Sequence, residues 1–290
     1  MAGFTLNDAI TKYSSQSMNM AQVMLVRGAF ATLFVGSLAW QRGALVRLRS
    51  MLDPLVALRV LGEAGGTVTF LIALAHLPIA SVSAVLQALP LAVTMGAALV
   101  FGEDVGWRRW LAIALGFVGV LVIVRPGFEG FSAYSLVALA CVACCAVRDL
   151  ATKRIPKAIP TLLVSTATAL AMTIVGAALL SPMGGWTPMA GKSTALVALA
   201  AVLVLIGYQS IIMAMRVGDI SFIAPFRYTA LIWSILLGLF IFADVPDLPM
   251  VIGAAIIIGS GLYALYRERI VGRRKIVAES TGPTMVPDGI

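Results

Sequence analysis

Apolar residues in this chain run in long blocks, separated by short clusters of proline, glycine and charge. The blocks lie at about 2–14, 20–40, 54–76, 78–101, 107–125, 132–151, 160–181, 193–215, 220–243 and 247–266. Runs of about 20 apolar residues have the length that crosses a bilayer as helix. The first block is short: thirteen residues of helix rise ~20 Å, against ~30 Å of hydrocarbon. Either the start is misassigned or clipped, or this helix covers part of the bilayer. The pattern predicts an all-α integral membrane protein of ten transmembrane helices.

Composition agrees. Mean hydropathy is +1.00, and 60% of residues are hydrophobic against 12% charged, which excludes an ordinary soluble domain. The formal charge of +8 therefore reads as membrane topology, not as a nucleic-acid surface. With ten spans both termini share a side. Fifteen of the 21 Lys and Arg then fall in loops on that side, and only Lys12, Arg125 and Lys192 on the other. Basic loops stay cytoplasmic, so both termini are expected there. The cysteines, Cys141, Cys144 and Cys145, share one helical face with no histidine near in sequence. They read as packing residues, and neither metal nor cofactor is expected. Gly62-x-x-x-Gly66 and Ala112-x-x-x-Gly116 are expected at close helix contacts.

The halves repeat. Asp8-Ala-Ile-Thr11-Lys12 recurs as Asp149-Leu-Ala-Thr152-Lys153, 141 residues on. Ala80-Ser81-Val-Ser-Ala84-Val-Leu-Gln87 aligns with Ile220-Ser221-Phe-Ile-Ala224-Pro-Phe-Arg227 at an offset of 140, without a gap over about forty residues. Five spans per repeat is an odd number, so the second repeat must be inverted, as in many secondary transporters. The expected division is a first repeat at 1–126, a second at 127–270 and a disordered cytoplasmic tail at 271–290.

The stretches Val100-Phe-Gly-Glu103-Asp-Val-Gly-Trp-Arg-Arg109, Gly116-Phe-Val-Gly-Val-Leu-Val-Ile-Val-Arg-Pro126, Ala224-Pro-Phe-Arg-Tyr-Thr229, Leu236-Leu-Gly-Leu and Gly259-Ser-Gly-Leu-Tyr263 carry a family likeness. The chain resembles a ten-helix member of the drug/metabolite transporter superfamily, of the type with two EamA domains. The resemblance implies a transporter fold and leaves the substrate open, since similar proteins move amino acids, drugs, nucleotide derivatives, vitamins and organic acids. The first helix is shorter than the family pattern.

Candidate residues are polar positions inside the spans. A charge in hydrocarbon is costly and usually marks protein or water contact. Arg227 lies inside the ninth span, with Gln87 as its repeat-mate. Thr94 and Ser234 each follow by seven residues, two turns on. Tyr228 and Tyr208 add hydroxyls. Arg59 and Glu63 share a face, either as a cavity-lining pair or as a structural salt bridge. Asp8 and Lys12 share a face as a structural or gating pair. Arg27 either meets substrate or pairs with Asp8. Pro90 and Pro225 are candidate hinges, because proline removes a helix hydrogen bond. His76 reads as an interfacial residue.

These features predict a secondary-active transporter of the inner membrane, working by alternating access through a central cavity. The cationic field predicts a small anionic or zwitterionic metabolite: an amino acid, organic acid or nucleotide-like solute. The other partner is the lipid bilayer, with no nucleic acid, and a homodimer is left open. The alternatives are a channel and an integral-membrane enzyme. The chain carries no Gly-x-Ser-x-Gly or His-Glu-x-x-His motif and a single histidine, so an enzyme is not expected.

Overall fold

The structure is a computed structural model. It describes residues 1–43, 50–103, 105–127, 131–156, 158–189, 191–217 and 228–280, without the side chains of 205, 208–217 and 268–280. The described residues form helices and connecting turns, with no strand. The helices are α1 (Ala2–Ser14), α2 (Met20–Gln41), α3 (Pro54–His76), α4 (Ile79–Leu86), α5 (Leu89–Phe101), α6 (Trp107–Val124), α7 (Ala133–Arg154), α8 (Thr161–Leu180), α9 (Gly191–Val217), α10 (Thr229–Phe242) and α11 (Leu248–Ser280).

Local chemistry sets several starts. Asn19 caps α2 by accepting from the Gln22 amide at 2.8 Å. Asp53 caps α3 by accepting from the Leu55 amide at 2.9 Å, with Pro54 in the first turn. These are the residues that satisfy the orphan amides of a helix N-terminus. At the other ends, Gly102 closes α5 and Ala243 closes α10, both left-handed. The amides that follow, Glu103 and Asp244, bond back to Ala97 and Gly238. A left-handed residue past the last turn lets these amides reach carbonyls that the helix leaves unbonded.

Seven helical stretches are long and apolar enough to cross a membrane: Met20–Gln41, Pro54–His76, Ile79–Phe101, Trp107–Val124, Ala133–Arg154, Thr161–Leu180 and Leu248–Arg267. Gly191–Val204 and Thr229–Phe242 are shorter apolar helices. Exposed Leu33, Leu99, Phe240 and Ile174 face outward from this bundle, as befits lipid as solvent. The protein is a multi-pass membrane protein.

The helices pair closely as α2 with α8, α3 with α7, α6 with α11 and α1 with α9. In the first three pairs the chains run antiparallel: Gly28 meets Thr173 while Gly36 meets Thr166, Gly62 meets Arg148 while Gly66 meets Cys145, and Gly119 meets Gly253 while Gly116 meets Ser260. Gly62 and Gly66 thus stand at a close contact, as their spacing predicts. Cys141 and Cys145 are buried against that same face, and the Cys141 thiol donates to the Gly66 carbonyl at 3.3 Å.

A close backbone approach tests this packing. A methyl on Gly176 would lie 2.6 Å from the Leu25 nitrogen and 2.8 Å from its Cα. Backbone cannot yield as a side-chain tip can, so α2 and α8 must move apart. Gly176→Ala is expected to destabilise by about 1–3 kcal/mol, the usual cost of overpacking. Gly259→Ala, with open space around the glycine, is the control and should be neutral. Thermal unfolding of both variants in detergent checks this, and equal stability of the two would contradict the packing.

Two sequence expectations are refined. The fourth span is found at Ile79–Phe101, but it breaks at Gln87–Ala88 into α4 and α5, because Pro90 has no N–H to offer the Leu86 carbonyl. The last span is found at Leu248–Arg267, and residues 271–280 continue α11 as helix to Ser280. After Gly272 no further glycine or proline interrupts the sequence before Gly282. The caps Ala88 and Tyr228 lie 140 residues apart, and the left-handed caps Gly102 and Ala243 lie 141 apart.

Candidate functional site

Gln87 sits in the interruption between α4 and α5. Its amide donates to the Ser83 and Ala84 carbonyls at 3.2 Å each, and the Ala88 amide to Val85 at 3.0 Å. These tight bonds end α4, and α5 restarts with Pro90 in its first turn. Gln87 and Ala88 are both buried, so the break lies inside the bundle. Thr94, one turn into α5, returns its hydroxyl proton to the Pro90 carbonyl at 2.9 Å. Ser234, its repeat-mate in α10, is fully buried and donates to Leu231 at 2.9 Å. Both hydroxyls thus spend their proton on their own helix, leaving only oxygen lone pairs to a ligand. Tyr228, at the start of α10, is also buried. Arg227 and Pro225 lie outside the described residues, and so does the side chain of Tyr208.

The charged candidates sort into two groups. In the first, Arg27 of α2 donates to the Asn7 side chain of α1 at 3.3 Å, and Asn7 donates to Asp8 at 2.9 Å. Asn7 thus links Arg27 to Asp8 through side-chain hydrogen bonds. In the second group, Arg148 of α7 bridges two carboxylates. It meets Glu63 of α3 at 3.4 Å and Asp149 at 2.8 Å. The expected partner of Glu63, Arg59, instead donates to Thr168 of α8 at 2.5 Å. The helical spacing does put Arg59 and Glu63 on one side of α3, but α7 and α8 flank that side and supply nearer partners. The Arg59 Nε is buried without a hydrogen bond.

Lys12 likewise does not pair with Asp8. Its ammonium donates to the Leu77 carbonyl at 2.7 Å and to Asp244 at 3.4 Å, and it lies 5.1 Å from the Phe242 ring centre. At the opposite end of the bundle Lys153 pairs with Glu103. The Arg154 guanidinium covers the Phe101 ring at 4.0 Å. His76 is exposed and stacks on Tyr134 with ring centres 3.7 Å apart, which fits an interfacial position.

Four charged or polar partners escape notice in the sequence: Asn7, Arg148, Glu103 and Asp244. Arg148 lies near the end of its span, where a basic residue is read as topology. Asn7 is its repeat-mate at an offset of 141. That offset is the signal that can find it. Among the described residues no three His, Cys, Asp or Glu side chains gather closely enough to hold a metal ion.

Residues 1–125 match the model of the EamA-like transporter family. Over 275 residues the chain is 25% identical to the S-adenosylmethionine uptake transporter of Rickettsia prowazekii (strain Madrid E), covering 91% of this chain and 89% of that one. It is 24% identical over 273 residues to the riboflavin transporter of Rhizobium johnstonii, covering 91% and 88%. It is 28% identical over 277 residues to the riboflavin transporter of Vibrio cholerae serotype O1, covering 94% and 92%. A crystal structure at 19% identity shares the fold with a TM-score of 0.61, covering 92% of this chain and 97% of that one. With helices packed for a membrane, charges held between them, a first half similar to the EamA-like transporter family, and relatives named as transporters along nearly its whole length, these likenesses point to a transporter and not to an enzyme.

Proposed function

We propose that the protein is a secondary-active transporter that carries a small anionic or zwitterionic metabolite across the inner membrane by alternating access. In this reading ten spans form two inverted repeats, 1–126 and 127–270, with both termini cytoplasmic. The observation that carries the transporter reading furthest is alignment with named metabolite transporters along nine-tenths of the chain.

Helix packing supports the inverted repeat. By the sequence repeat, α1 corresponds to α7, α2 to α8, α3 to α9, the α4–α5 pair to α10, and α6 to α11. Exchanging the halves turns the pair α1 with α9 into α7 with α3, and both are close pairs. It maps α2 with α8 onto itself, and α6 with α11 onto itself. It turns α5 with α7 into α10 with α1, again both in contact. A two-fold axis in the membrane plane predicts this interchange.

S-adenosylmethionine and riboflavin each join a fused nitrogen heterocycle to a hydroxylated five-carbon unit, a ribose ring in one and an open ribityl chain in the other. Within the proposed class, that favours the nucleotide-like solute over a plain organic acid. Arg227, and Gln87 at the break between α4 and α5, would bind it, with Tyr228 and Tyr208 as hydroxyl partners. Arg59, with its unpartnered Nε, would supply a further donor. Arg27 and Glu63 would balance the charge of the cavity, and Pro90 and Pro225 would serve as hinges. Thr94 and Ser234 would contribute acceptors.

The test is a thermal-shift screen of the purified protein with S-adenosylmethionine, riboflavin, nucleotides, amino acids and organic acids, followed by counterflow in proteoliposomes. Arg227→Ala is expected to weaken a hit by roughly tenfold or more, the loss of one charge-assisted hydrogen bond. Its melting temperature without ligand should stay near that of the native protein. If Arg227→Ala and Arg27→Ala both leave every anionic or zwitterionic hit untouched, the substrate class is wrong. Flux without saturation or counterflow would mean a channel.

A further inference from the structure

Two ion pairs at opposite ends of the bundle are copies of one another. Lys12 and Lys153 are 141 residues apart, and so are Glu103 and Asp244. Lys12 pairs with Asp244, and Lys153 pairs with Glu103. The aromatic residues beside them match as well. Phe101 and Phe242, again 141 apart, each lie under a cation: Arg154 over Phe101 at 4.0 Å, and Lys12 near Phe242 at 5.1 Å. Each lysine stands in the last turn of a repeat's first helix, α1 or α7. Each carboxylate directly follows, or lies next to, the left-handed cap that ends α5 or α10. Both pairs therefore tie one half of the chain to the other, with the lysine contributed by opposite halves.

Chance does not explain this arrangement easily. The residues of each pair are far apart in sequence, 232 positions for Lys12 and Asp244 and 50 for Lys153 and Glu103. The cap geometry that aims each carboxylate is also repeated. The side chains of Lys153 and Glu103 are 53% and 46% exposed, and a pair so exposed adds little to stability. Those of Lys12 and Asp244 are 14% and 27% exposed, so that pair is the more buried. Mirrored contacts between helix ends suit an element that opens and closes.

We infer that Lys12–Asp244 and Lys153–Glu103 are the latches of the two gates, one for each face of the membrane. The inference rests on alternating access, proposed above. Opening the cavity toward one face must part the helix ends there. The first helix of one repeat then leaves the capped end of α5 or α10 in the other. Only the latch at that face breaks, and the other holds the opposite face shut. Because the latches are repeat-mates, the same local motion serves both directions. The Lys12 latch is the firmer of the two: its ammonium also holds the Leu77 carbonyl at 2.7 Å, and both its side chains are less exposed than those of the other latch.

The readout is reaction of a Gln87→Cys reporter with a membrane-impermeant methanethiosulfonate. It is applied to intact cells and to inside-out vesicles, and counted above the label taken by protein without the reporter. With both latches intact, the reporter should react from both faces. Asp244→Asn should raise labelling from the Asp244 face and lower it from the other. Glu103→Gln should do the reverse. Each ratio should change by roughly 2- to 5-fold, the shift that loss of such an ion pair gives. The exchange variant Lys12→Asp with Asp244→Lys should return the ratio toward native, which a role confined to folding would not predict. If labelling alternates between faces but neither latch variant moves the ratio, or both move it the same way, the latch inference fails and alternating access stands. If the reporter with intact latches reacts from one face only, alternating access itself fails and takes the latches with it.

Discussion

Arg148→Met should be the most damaging single substitution among the described charges. The guanidinium holds Glu63 at 3.4 Å and Asp149 at 2.8 Å, and the side chains of Arg148 and Glu63 are 17% and 14% exposed. Removing the cation leaves two carboxylates with no partner of opposite charge at that point between α3 and α7. Breaking a buried pair by deleting one partner typically costs about 3–5 kcal/mol, because the remaining charge is stranded. The α3–α7 contact is also one of the closest in the bundle, since Gly62 lies against the Arg148 backbone. Methionine keeps most of the volume there, so the loss should be electrostatic. Pairing Arg148→Met with Glu63→Gln should recover more than half of the lost stability. Asp149 is 28% exposed and can turn toward water. The measurement is the fraction of purified protein that stays monodisperse after a heating series. If the double variant is no better than the single one, the cluster is not held by its charges.

That cluster shows where sequence reasoning reaches and where it stops. The spans were legible because hydrophobic length has a physical unit, the thickness of a bilayer. Helix α3 begins at Pro54 and ends at His76, and α1 spans residues 2–14, as the pattern predicts. Charge pairing was less legible. Spacing tells which residues share a face of one helix, and so it offered Arg59 to Glu63 and Lys12 to Asp8. The choice between partners is made across helices. Arg148 and Asp244 approach from other elements, and no period within α3 or α1 encodes them. The break at Gln87 was half legible. Proline at position 90 announced a lost hydrogen bond, yet a hydropathy average runs straight through it.

The repeat is read in the sequence as two offsets. Asp8 to Asp149 gives 141, and Gln87 to Arg227 gives 140. The helix caps lie 140 apart at Ala88 and Tyr228 and 141 apart at Gly102 and Ala243. At an offset of 140 Asp104 stands opposite Asp244, and at 141 Glu103 does. A one-residue slip on a helix turns a side chain by about 100°. A mirrored pair is invisible at the wrong offset for that reason.

Pro90→Ala should separate stability from transport in opposite directions. At present α4 ends at Leu86, Gln87 and Ala88 form a turn, and α5 resumes at Leu89. Alanine at position 90 supplies the N–H that proline lacks, and it can bond to the Leu86 carbonyl four residues back. Proline is less favourable than alanine inside a helix by ~3 kcal/mol. That is the upper limit of the gain, because the surrounding helices already hold the broken form. A continuous α4–α5 helix has no joint at Gln87, however, and the carbonyl freed by the break is no longer open to a ligand. Transport in counterflow should fall roughly tenfold or more, equivalent to a bias of about 1.4 kcal/mol against one of the working conformers. The melting temperature should hold or rise. A loss of transport that merely tracked a loss of folded protein would make Pro90 a packing residue. Unchanged transport with higher stability would leave the break as a kink without a part in the cycle. The mate of this element argues for the first outcome. Pro225 precedes Arg227 by two residues, while Pro90 follows Gln87 by three. Proline thus stands within three residues of the aligned polar position in both halves of the sequence.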